Sequence, residues 1–191
     1  MGLRERKKAR TRAEIQRQAL RLFREQGYEA TTTSQISEAA EVSESTFFRY
    51  FPTKEDVVLW DRFDPLIFEA FMAQPAGSGP IQAFRDAMRE ALNRASAAEQ
   101  ADLRERVALL LSVAPLRATL VDQIRGPMAL LTEALAERAG RPPDDPAARA
   151  AAGALLGVGL SAMFAAADDP SADLVSLIDE GLAQLQAGFP L

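Results

Sequence analysis

The chain has 191 residues, 48% of them hydrophobic and 26% charged, a profile that suits a water-soluble globular protein of one domain or one and a half. It contains neither cysteine nor histidine, which excludes disulfide frameworks, thiolate and imidazole metal sites, thiol nucleophiles and Ser-His-Asp triads, so no metal and no cofactor is expected. The formal charge of −5 is unevenly spread: residues 1–54 hold 11 basic and 7 acidic residues, a net of +4, and residues 55–191 hold 11 and 20, a net of −9. A basic first part joined to an acidic remainder is the asymmetry expected where one end meets a polyanion.

The basic N-terminus is followed by no apolar stretch of the secretory kind, and Gly2 lacks the downstream hydroxyl residue of a myristoylation signal. From Ala150 to Ala167 no residue is charged, but the stretch is mostly Ala and Gly, which suits a helix buried in protein better than one in a bilayer. The expectation is a cytoplasmic protein with no membrane partner.

Helical periodicity runs through almost the whole chain. Ile15, Ala19, Leu22 and Phe23 make the stripe of an amphipathic helix over about 12–26, closed by Gly27. Thr32 and Gln35 form a capping box for a short helix that buries Ile36, Ala39 and Ala40. After a turn at Glu41-Val42, Ser43 caps a second short helix through Phe51, and Thr53 caps a third that carries Val57, Val58 and Trp60 and kinks near Pro65. Beyond the loop 74–80, helices are expected over 80–92, 98–113, 116–139 (interrupted at Gly126-Pro127), 147–167 and 172–187. The fold class is all-α with about nine helices: a basic arm and three-helix head over 1–54, then a helical body over 55–191.

Residues 33–51 have the layout of a helix-turn-helix, whose second helix is slim enough to enter the major groove of B-DNA. If Phe47 points inward, Phe51 lies about 40° from it, while Ser45 and Arg49 lie about 160° away and face outward, with Thr46 and Phe48 flanking at about 100°. That face offers a guanidinium for guanine, two hydroxyls, and a Thr methyl or Phe ring for the thymine methyl. Thr31, Thr32, Ser43, Tyr50 and Lys54 surround it as phosphate contacts, and Arg4, Arg6, Lys7, Lys8, Arg10 and Arg12 form an arm that adds more.

The run over 15–57 closely resembles the DNA-binding domain of the tetracycline-repressor (TetR) family. The residues that carry the likeness are Leu22-Phe23, Gly27-Tyr28, Ala30-Thr31-Thr32, Ile36, Ala39-Ala40, Val42-Ser43 and the stretch Ser45-Thr46-Phe47-Phe48-Arg49-Tyr50-Phe51-Pro52-Thr53-Lys54-Glu55. The resemblance implies an all-helical homodimer, usually a transcriptional repressor, with a DNA-binding head, a fourth linking helix and a ligand-binding body. Its last two helices would pair with those of a second subunit, and Thr46, Phe48, Arg49, Tyr50 and Lys54 would face DNA. Three positions depart from the family pattern: Glu41 stands where a turn glycine is frequent, Phe48 where tyrosine is frequent, and Thr33 where an apolar residue is frequent.

No motif defines the body. Gly153 and Gly157 allow close helix approach, and Leu174, Leu177, Ile178, Leu182 and Leu185 form a stripe; these are the expected homodimer residues. Trp60, Phe63, Phe68, Phe71, Met72 and Phe84 are expected, with Met88, Met128, Met163 and Phe164, to line a pocket for an apolar or amphipathic effector. Pro65 and Gly126-Pro127 are the expected hinges. The leading expectation is a ligand-responsive regulator bound to a palindromic operator in double-stranded DNA, and not an enzyme. A DNA-binding protein without an effector, constitutive or architectural, is the alternative. Carboxylate catalysis by a pair drawn from Asp61, Asp64 and Glu69 is the least favoured class.

Overall fold

The computed structural model describes residues 2–169 and 171–190. Among these the secondary structure is α-helical with no strand, as the periodicity implies. Eleven helices occur in chain order: α1 (Leu3–Gln26), α2 (Thr33–Ala39), α3 (Glu44–Tyr50), α4 (Lys54–Leu59), α5 (Asp64–Ala73), α6 (Pro80–Asn93), α7 (Ala97–Ser112), α8 (Ala114–Ala118), α9 (Leu120–Arg138), α10 (Pro146–Asp168) and α11 (Leu174–Gln186).

Two of them arise because expected single helices are divided. The segment after Thr53 breaks at Trp60–Phe63 rather than bending at Pro65, which instead opens α5. The segment after Leu116 breaks at Thr119, whereas Gly126-Pro127, expected as the interruption, lies inside α9. Proline there removes one backbone donor, but the carbonyl it deprives belongs to Gln123, on an exposed stretch, so the loss falls where solvent is at hand.

The chain forms two compact units. The first comprises residues up to Arg62 together with Ala101–Ala118; the second comprises Phe63–Gln100 and the residues from Thr119 on.

In the first unit α1, α2 and α3 enclose Ile15, Ala19, Leu20, Phe23, Ile36, Phe47 and Phe51, all buried. Local chemistry sets the helix limits. Gly27 ends α1 at φ +87°, a conformation that glycine adopts freely. Reciprocal capping boxes open α2 (Thr32 with Gln35) and α4 (Thr53 with Asp56). The turn between α2 and α3 places Glu41 at φ +54°, a left-handed position that costs a side-chain-bearing residue about 1 kcal/mol.

Polar ties fix α4 in this unit. The buried Gln16 of α1 donates from Nε2 to the carbonyls of Val57 and Trp60, both at 2.8 Å. The guanidinium of Arg12 lies over the rings of Phe51 and Trp60, 5.0 and 4.7 Å from their centroids. Burial lowers its pKa from the ordinary arginine value, with the nearby Asp56 acting in the opposite direction. Arg106 of α7 is buried and pairs with Asp61, just past α4.

In the second unit α5 packs on α6 and α9, α10 on α9 and α11, and α11 on α6. Its core gathers Phe71, Ala83, Ala87, Leu131, Leu135, Ala152, Leu155 and Leu182. The Asp179 carboxylate on α11 accepts from Arg85 Nε and Nη2 at 2.7 and 2.8 Å, and from Arg89 Nη2 at 2.7 Å, so one acid fastens α11 to α6. These bonds, that to Arg85 first, hold its pKa well below the usual carboxylate range. Arg138 stacks on Phe71 and donates to the carbonyls of Phe71, Gln74 and Pro75, capping the end of α5.

By length and composition α10 is apolar enough to cross a membrane, with 17% of its most apolar stretch buried in the chain. It packs against α9 and α11 along one side.

Candidate nucleic-acid interface

The α2–turn–α3 segment forms the expected helix-turn-helix, and its side chains divide sharply by face. Phe47 is fully buried, and Phe51 with it, their ring centroids 6.1 Å apart. Ser43, Ser45, Phe48 and Arg49 are exposed, and Thr46 and Tyr50 half-buried, which is the division the 100° helical step demands.

The outward polar groups are already organised among themselves. Ser43 Oγ accepts from the Thr46 backbone N–H at 3.1 Å, capping α3, and lies 3.0 Å from Thr46 Oγ1 and 2.9 Å from Ser45 Oγ. Arg49 Nη2 reaches Thr46 Oγ1 at 3.4 Å, and its guanidinium lies 5.6 Å from the centroid of the Tyr50 ring. The guanidinium of Arg49 thus has a hydroxyl and an aromatic ring beside it, neighbours that restrict its rotamers and lower the entropy a guanidinium loses on binding.

Three residues of the expected interface are placed otherwise. Thr31 is 2% exposed; its hydroxyl donates to the Gly27 carbonyl and accepts from Gln26 Nε2, so it stabilises the α1–α2 loop instead of facing out. Lys54, expected on a phosphate, turns inward: Nζ donates to the carbonyls of Tyr28 and Thr31 at 2.8 and 3.2 Å and lies 4.1 Å from the centroid of the Tyr28 ring. Those carbonyls belong to the loop between α1 and α2, where Tyr28 O also accepts from the Thr31 backbone N–H at 3.3 Å, and a lysine at the start of α4 adds a charged donor to both. Arg12 is drawn under Phe51 and Trp60, leaving Arg4, Arg6, Lys7, Lys8 and Arg10 as the exposed cations of the arm. The arm is no loose tail. It is the first part of α1, a helix of 24 residues spanning about 36 Å. Thr32 remains exposed at the start of α2.

The residues expected to line an effector pocket divide between core and surface. Trp60 belongs to the first unit, its ring 5.9 Å from that of Phe51. Phe63 and Phe71 are buried; Met72, Phe84, Met88 and Met128 pack against the core cluster; Met163 is half-buried; Phe68 and Phe164 are exposed. An apolar hollow beside Met88, Leu92 and Leu182 measures about 10 Å³, room for one water. A larger open hollow of about 500 Å³ lies along α9 and the 141–145 loop, lined by Arg125, Met128, Thr132, Glu133, Asp144 and Arg149. Of the expected lining residues it includes Met128 alone.

Of the expected dimer residues, Leu174 and Leu182 are buried within the chain, Ile178 and Leu185 pack on its core, Gly153 and Leu177 are half-buried and Gly157 is exposed. Among the glycines of α10 and α11, Gly181 meets the other helix: an added Cβ would stand 2.6 Å from Val158 Cγ1. The sequence offered a signal for it in a glycine amid the α11 stripe.

A helix-turn-helix with a buried aromatic pair, a capped recognition helix and an outward Ser/Thr/Arg face defines a sequence-reading DNA-binding unit. The family model described as "Bacterial regulatory proteins, tetR family" matches residues 15–59, and the one described as "MftR C-terminal domain" matches residues 78–190. The chain belongs to the TetR family of bacterial transcriptional regulators. It is 48% identical over 95 residues to the HTH-type transcriptional regulator TcmR of Streptomyces glaucescens; that match spans 49% of this chain and 42% of the relative.

Among solved structures it is similar to the TetR-family repressor FadR of Thermus thermophilus in complex with lauroyl-CoA. The identity is 29% and the TM-score 0.59, over 94% of this chain and 95% of that one. It also shares its fold with SmeT, repressor of the Stenotrophomonas maltophilia multidrug efflux pump SmeDEF, at 20% identity and a TM-score of 0.63 over 93% and 89% of the two chains.

Proposed function

We propose that the protein is a homodimeric repressor that binds a palindromic operator in the cytoplasm and is released from it by a small apolar or amphipathic effector. The observation that carries the DNA part is the pre-positioned Arg49, exposed on α3 between Thr46 and Tyr50. Ser45, Thr46 and Phe48 accompany it at the base edges, while Thr32, Ser43, Tyr50 and the basic turns of α1 meet phosphates. The dimer reading is supported by the poorly covered apolar length of α10, which in water favours a partner over exposure. Gly157 and Phe164 lie on its exposed side. An effector is suggested by the likeness to a repressor crystallised with lauroyl-CoA. One observation favours a regulator without effector: several of the apolar residues expected to line a pocket, Phe71, Met72, Phe84 and Met88 among them, pack in or against the core instead.

Selection of bound duplexes from a random pool, followed by titration at two salt concentrations, tests the reading. A palindromic sequence preferred over random DNA is the expected result, and equal affinity for all duplexes would refute it. On the selected duplex Arg49→Ala loses about 1–3 kcal/mol of binding and relaxes specificity at one base pair.

A further inference from the structure

The recognition helix carries one exposed group with no polar function at all. Phe48 is 46% exposed on a helix whose other outward residues are charged or hydroxylated. It is not loose: its ring meets the fully buried Phe47 edge-on, centroids 5.3 Å apart and planes at 88°. On a helix that faces DNA, such a ring adds to binding only where an apolar group of the duplex covers it.

The chemistry around the ring narrows what that is. Phenylalanine has no donor for a phosphate oxygen. One helical turn earlier, on the same side, stands the exposed carboxylate of Glu44, which repels the backbone of DNA. The Thr46 methyl is the other apolar candidate on α3, but Thr46 is half-buried and its hydroxyl is tied to Ser43 and Arg49. In the major groove the apolar partner available to a ring is the methyl group on C5 of a pyrimidine.

The geometry points to Phe48 as a specificity determinant that reads a pyrimidine C5-methyl group, thymine in unmodified DNA, beside the base pair read by Arg49. This rests on the regulator reading above and adds to it the group recognised.

The test uses the full chain and the duplex it selects, with each thymine replaced in turn by uracil, which differs only in lacking that methyl. Wild-type protein loses about fourfold in affinity at one position in each half-site, the worth of one buried methyl-sized group. Phe48→Ala binds the thymine and uracil duplexes equally, while Phe48→Leu, still apolar, keeps part of the difference. Because the side chain is exposed, both variants are expected to melt like the wild type, which thermal unfolding checks. Equal binding of the thymine and uracil duplexes by the wild type, or discrimination that survives in Phe48→Ala, overturns the assignment while leaving the regulator intact. Selection of no sequence at all overturns both.

Discussion

The first unit and the second hold their helices by different proportions of polar and apolar contact. In the first, single polar side chains fasten one helix to the backbone of another: Gln16 to the end of α4, Lys54 to the α1–α2 loop, Arg12 beneath two rings. In the second, α9, α10 and α11 meet mainly through small and aliphatic side chains, and polar ties are set at the margins: Asp179 between α11 and α6, and Arg138 of α9 on the last carbonyls of α5. Directional bonds fix a helix in register to within a fraction of an ångström, which a base-reading surface needs. Small apolar contacts hold helices together while tolerating modest sliding, which would suit the effector-driven change of the proposed function.

The contrast is broken most severely at Gln16. Gln16→Leu leaves the carbonyls of Val57 and Trp60 without their donor and is expected to cost the first unit about 2–4 kcal/mol. Denaturant melts read the loss, and a loss below roughly 0.5 kcal/mol would show that packing alone holds α4.

A smaller effect is expected in the second unit. Asp179→Asn is expected to cost about 1 kcal/mol at neutral pH, because the site is partly open to solvent. The native pKa is depressed, so the contribution is complete above the ordinary carboxylate value of about 4 and fades as pH falls towards the native pKa. Melting curves of wild type and variant should therefore converge on acidification, and a gap that stays constant down to acid pH would mean that the charge is irrelevant.

The smallest change is a gain. Glu41→Gly relieves a left-handed residue and should stabilise the first unit by about 0.5–1 kcal/mol. A destabilised variant would show that the Glu41 side chain compensates for its own backbone.

Much of the first unit was legible because its signals are local. Thr32, Gln35, Ser43 and Thr53 announce their caps in sequence, and the Phe47/Phe51 spacing orients α3. What escaped were side chains whose partners lie far along the chain. Lys54 reads as a surface cation until the loop carbonyls of Tyr28 and Thr31 are seen beside it, 26 and 23 residues away. The first turns of α1 also escaped, because Arg, Lys, Ala and Glu favour helix without leaving an apolar stripe. In the second unit the aromatic and methionine residues gave no sign of whether they would fill a core or line a cavity, since both environments select the same side chains. Family likeness identified the layout there, and the packing had to be seen.

Trp60 is the sole tryptophan of the chain, and it sits where α1, α3 and the end of α4 converge, against Arg12 and Phe51 and with its carbonyl bound by Gln16. Its indole emission therefore comes from one place. Any shift in the end of α4 alters the cation above the ring and is written directly into the fluorescence spectrum, without a label. The absence of cysteine adds a second channel, because a thiol introduced anywhere is the only one to react, and energy transfer from Trp60 to a dye at that site becomes a ruler with a known origin.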